Sequence, residues 1–541
     1  MTLGCLLASA ISLPLLAQVP TPQRKTDQPM PDAKLASYPN FILDPKYKDR
    51  VAHPLPRTVD NSKQPFFPPI ATWRQQGSSC ANAQSVSVVY SYEAQRLRGL
   101  RSTGATPEYT YEYTYHFLNE GTSNQGDGWM FVEAWDILKE TGAPTSVDFG
   151  GLEWGNGFAG WMSGYDKYYR AMKYPVERTY KIDASVPAGD EIIKQYLHDR
   201  GEGAEMGGNL VVQIRSTGWV KTTVGGRNVI SSFGKGILNH ALTICGYDDS
   251  FNGGSWLVHN THGDGLYWAP YSLFRAGGNV ATTQGTPVMF PKLKKDYAPK
   301  YTFKITLTHN LRGSIAIMTG AAPSAGATVA TRNKDYAGAF NFSGGAFPLE
   351  GKAQSATLEI GLDLTDFADL VSGKDARFFL HVISKGGVGT IDKVSLMDYT
   401  GPTVREILST EFKRPIAANA TTTLSIPLNG ISAIRNLQIL SGGFRGQSLL
   451  GYRSGGPVRI SLAGGPATGA VLSIRDIHGR PVFGGSMDLD GTRGPGSRVF
   501  PWGMDNLRGE LVAPGLYFAS LKLLGGQAPV QEATALIRVL D

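Results

Sequence analysis

The chain has 541 residues, of which 41% are hydrophobic, 10% aromatic and 18% charged, and it contains 66 glycines and 32 prolines. This length exceeds one ordinary domain, and the composition is typical of a globular protein with many turns, so we expect two to four domains rich in β-structure. The net charge of +7 comes from scattered Lys and Arg residues. Scattered charge indicates solubility and argues against a nucleic-acid partner.

The first residues have the character of an export signal. The stretch 3–16 is apolar and is followed by the small residue Ala17, a length too short for a membrane span but right for a signal-peptide core. The usual positive start is missing, so either the true start lies upstream of Met1 or the leader is atypical. We predict a signal peptide at 1–17 and no membrane insertion elsewhere, because no later segment is apolar over a sufficient length.

Residues 18–66 are rich in Pro, Lys and Asp and lack periodicity, which predicts a linker or a short pro-segment. The stretch 67–295 mixes two periodicities, one helical and one strand-like. We expect helices at 81–97, 129–141 and 191–198, and strands at 210–215, 240–247 and 255–260.

Beyond residue 295 the pattern is that of strands between Gly-, Asn- and Asp-rich turns, which predicts a β-sandwich over 296–440. A Gly-rich linker at 441–457 then leads to a last module at 458–541. The expected strands lie at 301–308, 314–318, 356–364, 376–383, 422–427, 471–477, 515–523 and 533–540.

Cys80 is the most informative residue, because it lies where a Gly/Ser loop runs into the first predicted helix. Unpaired N–H groups and the helix dipole stabilise a thiolate at such a position. His240 and Asn260 follow downstream, and a Cys, a His and an Asn in this order are the parts of an activated nucleophile. Once Cys5 leaves with the signal peptide, Cys80 and Cys245 remain, too few for a disulfide scaffold.

Three segments carry a resemblance to the papain family of cysteine peptidases. Residues 76–80 (Gln-Gly-Ser-Ser-Cys) match the nucleophile segment, 239–247 (Asn-His-Ala-Leu-Thr-Ile-Cys-Gly-Tyr) match the base segment, and 255–263 (Ser-Trp-Leu-Val-His-Asn-Thr-His-Gly) match the segment of the orienting asparagine. Gly126 and Gly128 resemble the glycines that line the family's substrate cleft. The resemblance covers roughly 230 residues.

This resemblance implies the role of each residue. Cys80 would be the nucleophile, His240 its base, and Asn260 the group that orients the imidazole. Gln76, with the backbone N–H of Cys80, would form the oxyanion hole. Gly126, Gly128 and Asn239 would contact substrate.

The chain also departs from the family pattern. The loop before Cys80 is two residues shorter, so Gln75 competes with Gln76 as the oxyanion donor. His262 replaces the family's Trp beside the orienting asparagine. The 160 positions from Cys80 to His240 slightly exceed the usual papain-like gap of roughly 130–150.

Two further features have structural rather than catalytic interpretations. Cys245 lies within an apolar strand pattern and is interpreted as a core residue. Together with His240, His259 and His262 it offers the residue types that bind zinc, but the spacing matches no common zinc pattern. We therefore expect no metal and no cofactor.

The last module resembles the immunoglobulin-like modules that end many secreted bacterial proteins. The resemblance lies in the Asp-Ile-His-Gly-Arg segment at 476–480, the Trp-Gly turn at 502–503 and the Gly-Leu-Tyr strand at 515–517. Some modules of that group are sorting tails for a secretion system. A plain β-spacer is the alternative.

Together these features predict an α+β protein with a papain-like two-lobed catalytic domain followed by two β-sandwich domains. The predicted function is that of a cysteine endopeptidase, secreted or held at a bacterial cell surface, which acts on protein or peptide substrates. The C-terminal module would contact the cell surface or the secretion machinery. The alternatives are a non-catalytic binding protein on a degenerate papain scaffold, and a papain-fold amidase or transpeptidase that acts on cell-wall peptides.

Overall fold

The computed structural model contains both helices and strands, which confirms the mixed content predicted for an α+β protein. It describes residues 30–70, 73–120, 130–150, 160–263, 265–280, 282, 285–351, 357–402, 404–429, 436–440, 449–452, 458–463, 469–488, 498–502, 506–507, 512–513, 515–524 and 531–540.

One long helix, here called the central helix, begins at the candidate nucleophile. It runs as an α-helical turn over Cys80–Asn82, a π-helical stretch over Ala83–Tyr90 and an α-helix over Ser91–Arg98. It ends at Gly99, whose φ of 65° is a left-handed conformation that glycine adopts without strain. This confirms the helix predicted at 81–97.

Shorter helices surround the central helix. Two of them confirm predictions in part, because the expected helix at 129–141 is observed as Phe131–Thr141 and the one at 191–198 as the longer Pro187–Asp199. The other α-helices described are Asp32–Ser37, Glu112–Leu118, Ser146–Phe149, Tyr165–Ala171 and Ala368–Val371. Short 3₁₀ turns lie at Pro45–Lys48, Asn61–Lys63, Tyr271–Leu273, Arg312–Ser314 and Thr365–Phe367.

Nine of the described strands form one sheet in the first 295 residues. In chain order they are β1 (Thr58–Asp60), β2 (Val176–Asp183), β3 (Leu210–Ile214), β4 (Val220–Val224), β5 (Arg227–Ser232), β6 (His240–Asp248), β7 (Ser255–Asn260), β8 (Gly265–Pro270) and β9 (Pro287–Leu293). The order across the sheet is β2-β9-β3-β6-β7-β8-β5-β4, with β1 paired to β6. The strands predicted at 210–215, 240–247 and 255–260 are therefore confirmed as β3, β6 and β7.

Strand β6 lies at the centre of this sheet and is buried along its whole length. Alternate side chains of a strand point to opposite faces. One set packs toward the central helix: Ala241, Thr243 and Cys245. The other set packs with the helix Pro187–Asp199: Leu242 and Ile244. Helices on both faces explain why this strand reads as a continuous apolar run.

Several described residues before the central helix lie against this sheet. Phe41 donates its backbone N–H to the Lys181 carbonyl at 2.8 Å, and its ring packs edge-on against Tyr196 and Phe290. Strand β1 pairs with β6 in register from Thr58 to Asp60. Part of the segment predicted as a linker or pro-segment is therefore paired with this sheet.

Two antiparallel sheets follow residue 300. Their strands are β10 (Tyr301–His309), β11 (Ile315–Ala322), β12 (Arg332–Asp335), β13 (Leu358–Asp363), β14 (Arg377–Ser384), β15 (Gly389–Asp398), β16 (Arg405–Leu408), β17 (Arg414–Ile416) and β18 (Ala420–Pro427). One sheet has the order β13-β10-β15-β16, with β17 on β15, and the other β12-β11-β14-β18. All five strands predicted in this region are observed.

The core of these sheets is continuous with the helices of the first 295 residues. One buried apolar cluster joins the central helix to strands β10, β13 and β14. Arg312, fully buried, donates from Nη2 to the carbonyl of Asn119 at 3.1 Å and from Nε to that of Gly344 at 2.5 Å. The sheets after residue 300 are thus packed directly onto the helices.

The last part of the chain forms two further small sheets. Their strands are β19 (Asn436–Leu440), β20 (Leu449–Tyr452), β21 (Val458–Ala463), β22 (Gly469–Asp476), β23 (Pro481–Asp488), β24 (Arg498–Trp502), β25 (Gly515–Leu524) and β26 (Gln531–Leu540). The strands expected at 471–477, 515–523 and 533–540 are thus observed.

The turn between β22 and β23 is tightly held. Asp476 accepts hydrogen bonds from the backbone of His478 and Arg480, both at 2.9 Å, and Gly479 has a φ of 77°. Among the described residues, no helix is both long and apolar enough to cross a membrane.

Candidate active site

His240 and Asn260 are brought together by neighbouring strands. His240 is the first residue of β6 and Asn260 the last of β7, and because these strands are antiparallel the two ends lie at the same edge of the sheet. Nε2 of His240 lies 2.9 Å from Oδ1 of Asn260. Since Oδ1 can only accept, Nε2 carries the proton, and Nδ1 is the ring nitrogen left for proton exchange with another group.

Cys80 starts the central helix directly beside strand β6. The first helical turn, Cys80–Asn82, contacts the strand that begins at His240. Cys80 is buried, with 5% of its surface exposed. The helical turn is fixed on its far side by Asn82, whose Oδ1 accepts from Thr114 Oγ1 at 2.7 Å. The nucleophile, base and orienting residue predicted from sequence therefore lie on adjoining elements.

The two candidate oxyanion donors have different surroundings. Gln75 is half-buried, donates its backbone N–H to the Thr261 carbonyl at 2.9 Å, and accepts at Oε1 from Thr261 Oγ1 at 2.5 Å. The side chain of Gln76 is exposed, and the contacts of this residue run through its backbone, whose N–H reaches Tyr111 Oη at 3.1 Å. Gln75 is therefore the glutamine whose side chain is tied to the residue after Asn260.

Two aromatic rings lie edge-on to the candidate base. His262 packs at 4.8 Å between ring centroids and Trp219 at 5.7 Å, with interplanar angles near 81° in both pairs. His262 had been noted from sequence as the replacement for the family's Trp. The contact of Trp219 with His240 does not follow from the sequence, because it depends on the loop between β3 and β4.

Asn239 holds that loop in place. Its Oδ1 accepts from the backbone N–H of Ser216 at 2.8 Å, and its Nδ2 donates to Thr217 Oγ1 at 2.9 Å. Its predicted contact with substrate stays a prediction. Gly126 and Gly128, predicted to line the cleft, lie outside the described residues.

Cys245 is a core residue in the structure. It is fully buried among Val88, Tyr92 and Leu257, and burial, followed by the charge of Asp60, raises the pKa of its thiol well above the ordinary value. Across the described ranges, no group of three His, Cys, Asp or Glu side chains could hold a metal ion.

Gln84 is a polar residue near the candidate site that the sequence analysis did not identify. It lies one helical turn beyond Cys80, is fully buried, and hydrogen-bonds to residues of β6 and to the end of β7. The signal was available in the sequence, because Gln84 is a large polar residue on a helix whose neighbours are small or apolar.

No protein-family model and no curated protein matches the chain. The structure neighbours are papain-like cysteine peptidase proenzymes.

One neighbour is procathepsin L 3 of the Tenebrio molitor larval midgut, at 15% identity and a TM-score of 0.33, covering 47% of this chain and 73% of that one. The mite allergens Blo t 1 and Der p 1 are represented at 14% identity and a TM-score of 0.32, covering 50% and 80%. The SERA5 proenzyme of Plasmodium falciparum has 13% identity and a TM-score of 0.30, covering 50% and 71%. Scores this low indicate a weak likeness.

Proposed function

We propose that this chain is a secreted cysteine endopeptidase that hydrolyses peptide bonds through Cys80, His240 and Asn260. The observation that carries the proposal is the 2.9 Å hydrogen bond between the imidazole of His240 and the side-chain oxygen of Asn260. Both residues are buried, and His240 begins the strand that contacts the helical turn at Cys80. A histidine oriented in this way next to a thiol at a helix start is the arrangement that activates a cysteine nucleophile.

The reaction has two halves. The Cys80 thiolate attacks the peptide carbonyl, a sulfur–carbon bond forms, and the carbonyl π electrons move to oxygen. The intermediate collapses to a thioester as the carbon–nitrogen bond breaks, and His240 gives its proton to the leaving amine. Water then attacks the thioester while His240 takes its proton, the carbon–sulfur bond breaks, and the carboxylate product leaves.

Gln75, rather than Gln76, is the side chain that we assign to the oxyanion hole. Its carbonyl oxygen is engaged by Thr261, so the amide presents its Nε2 hydrogens as donors to the opposite side. The backbone N–H of Cys80 is the second donor. Donors fixed in advance stabilise the developing charge without reorganisation, and removal of one such donor lowers kcat by roughly 10²–10³-fold.

The larger architecture and the location belong to the same proposal. The helices around Cys80 and the nine-stranded sheet would be the two lobes of a papain-like domain, and the sheets after residue 300 would form two β-sandwich modules. Export across a bacterial membrane, with contact to a surface or to the secretion machinery through the last module, is supported by the leader-like residues 1–17 and by the resemblance of residues 458–541.

The test is alkylation of the full chain by iodoacetamide from about pH 4 to pH 8, beside assays of peptide cleavage. We expect fast alkylation of Cys80 at mildly acidic pH, slowed in His240→Ala, and no alkylation of the buried Cys245 in the folded protein. Alkylation that appears only near the ordinary thiol pKa of about 8.5 and ignores His240 would leave a non-catalytic binding scaffold. Mass-spectrometric mapping of products distinguishes protein substrates from cell-wall peptides.

A further inference from the structure

A short chain of hydrogen bonds crosses the interface between the central helix and the sheet. Oε1 of Gln84 accepts from Thr243 Oγ1 at 2.7 Å. Its Nε2 donates to the His259 carbonyl at 3.0 Å and to Thr261 Oγ1 at 3.3 Å. Thr261 Oγ1 in turn lies 2.5 Å from Oε1 of Gln75. Thr243 and His259 are paired across β6 and β7, so Gln84 sits on the strand pair that carries His240 and Asn260.

The direction of the hydrogen bonds that Gln84 makes is fixed by one group. The backbone carbonyl of His259 can only accept, so the amide nitrogen of Gln84 must face it. The oxygen of Gln84 therefore faces Thr243, and Thr243 must donate. Thr261 already accepts from Gln84, which leaves its own proton for the carbonyl oxygen of Gln75. The chain thus runs as a single series of donors from Thr243 to Gln75.

We propose that Gln84, Thr243 and Thr261 are positioning residues that hold the side-chain amide of Gln75 as a donor to the oxyanion of the reaction. Without the Thr261 proton, the two ends of the Gln75 amide would be free to exchange, and half of their orientations would present an oxygen to the developing negative charge. Aligned hydrogen bonds in a buried region also polarise one another, which strengthens the terminal donor. The role rests on the proposed peptidase function, but it concerns a separate step.

The side chains that form this series of hydrogen bonds are buried, and buried polar groups lower the stability of a fold unless they are paired. Gln84 and Thr243 are fully buried and Thr261 is 2% exposed. A buried polar group is tolerated only when its partners are present. An apolar side chain at position 84 would fill the same space with no such requirement.

Two reactions of Cys80 distinguish the loss of a positioned oxyanion donor from general damage to the site. Peptide hydrolysis develops an oxyanion, whereas alkylation of Cys80 by iodoacetamide does not. We therefore expect Gln84→Met to lower kcat/KM for a quenched-fluorescent peptide by about 10-fold, a fraction of the roughly 10²-fold loss expected for Gln75→Ala, with the alkylation rate unchanged. Thr261→Val should behave like Gln84→Met, and Thr261→Ser, which keeps the hydroxyl, should restore the activity.

The matched control is Gln95→Met. Gln95 is 2% exposed and lies on the same central helix 11 residues beyond Gln84, about 16 Å farther along the axis at 1.5 Å per residue, so the same chemical change there should leave kcat/KM at the wild-type value. Wild-type kcat/KM in Gln84→Met, or an equal loss in hydrolysis and alkylation, would overturn the positioning role while the peptidase function stands. A wild-type chain that cleaves no peptide and alkylates independently of His240 would overturn both.

Discussion

Truncation of Asn260 to alanine tests the interaction that holds the candidate base. His240 is 4% exposed and Asn260 1% exposed, so water cannot easily replace the lost oxygen. A buried donor left without its acceptor costs about 1–3 kcal/mol. The lost hydrogen bond destabilises the imidazolium more than the neutral imidazole, because the imidazolium carries a proton on both ring nitrogens. The thiolate–imidazolium pair therefore becomes less populated.

The expected loss is therefore roughly 5- to 150-fold, at a factor of ten for each 1.36 kcal/mol. Because the ion pair itself is weakened, both peptide hydrolysis and the iodoacetamide alkylation of Cys80 should slow together. Asn260→Asp keeps an acceptor at the same place and should keep the alkylation rate. These rates are measured at one pH on the full chain.

Asn61→Ala is the matched control for this experiment. Asn61 is 2% exposed, and its Nδ2 donates to the carbonyls of Leu197 and Gly208 at 2.9 and 2.8 Å. Its truncation should lower the melting temperature without changing either rate. If Asn260→Ala kept both rates within about threefold of the wild type, the 2.9 Å contact would be a structural hydrogen bond and the orienting role would be refuted.

Two further predictions concern the helices and sheets that support the site. Burial lowers the pKa of His116 to about 4, below the ordinary 6.5; the unfolded chain therefore binds a proton that the fold excludes. This contribution to stability is complete above pH 6.5 and is lost as the pH falls through 4, by up to about 3 kcal/mol. His116→Phe should therefore flatten the dependence of the melting temperature on pH between these two values. An unchanged slope would contradict the assignment. Arg312→Ala should destabilise the full chain by about 3 kcal/mol in denaturant titrations, because buried carbonyls lose a charged donor. The same change at the exposed Arg332, which pairs with Asp369, should lower the stability by at most about 1 kcal/mol. Equal effects would argue against a role for Arg312 in joining the sheets to the helices.

Much of the fold follows from local patterns in the sequence. Apolar positions at three- and four-residue steps predicted the central helix to within one residue at each end, because that spacing is typical of helices. The sequence did not predict that the stretch Ala83–Tyr90 is π-helical and buried on all sides. Strand β7 has the predicted bounds, and β6 begins at the predicted residue. The segment before the central helix could not be placed in the same way, since β1 pairs with a strand almost 190 positions away and has no periodicity of its own.

The candidate site likewise has some features that the sequence predicted and others that only the structure revealed. The sequence by itself determined which residue types are present and in what order, because a Cys at a helix start, an Asn-His strand start and an Asn strand end each follow from local chemistry. Only the tertiary structure decided which glutamine is tied to Thr261, that Trp219 packs against His240, and that Gln84 joins the helix to the strand pair. These contacts join residues about 20 to 190 positions apart, and side-chain hydrogen bonds at such separations depend on how the strands are registered and packed, which no local pattern encodes.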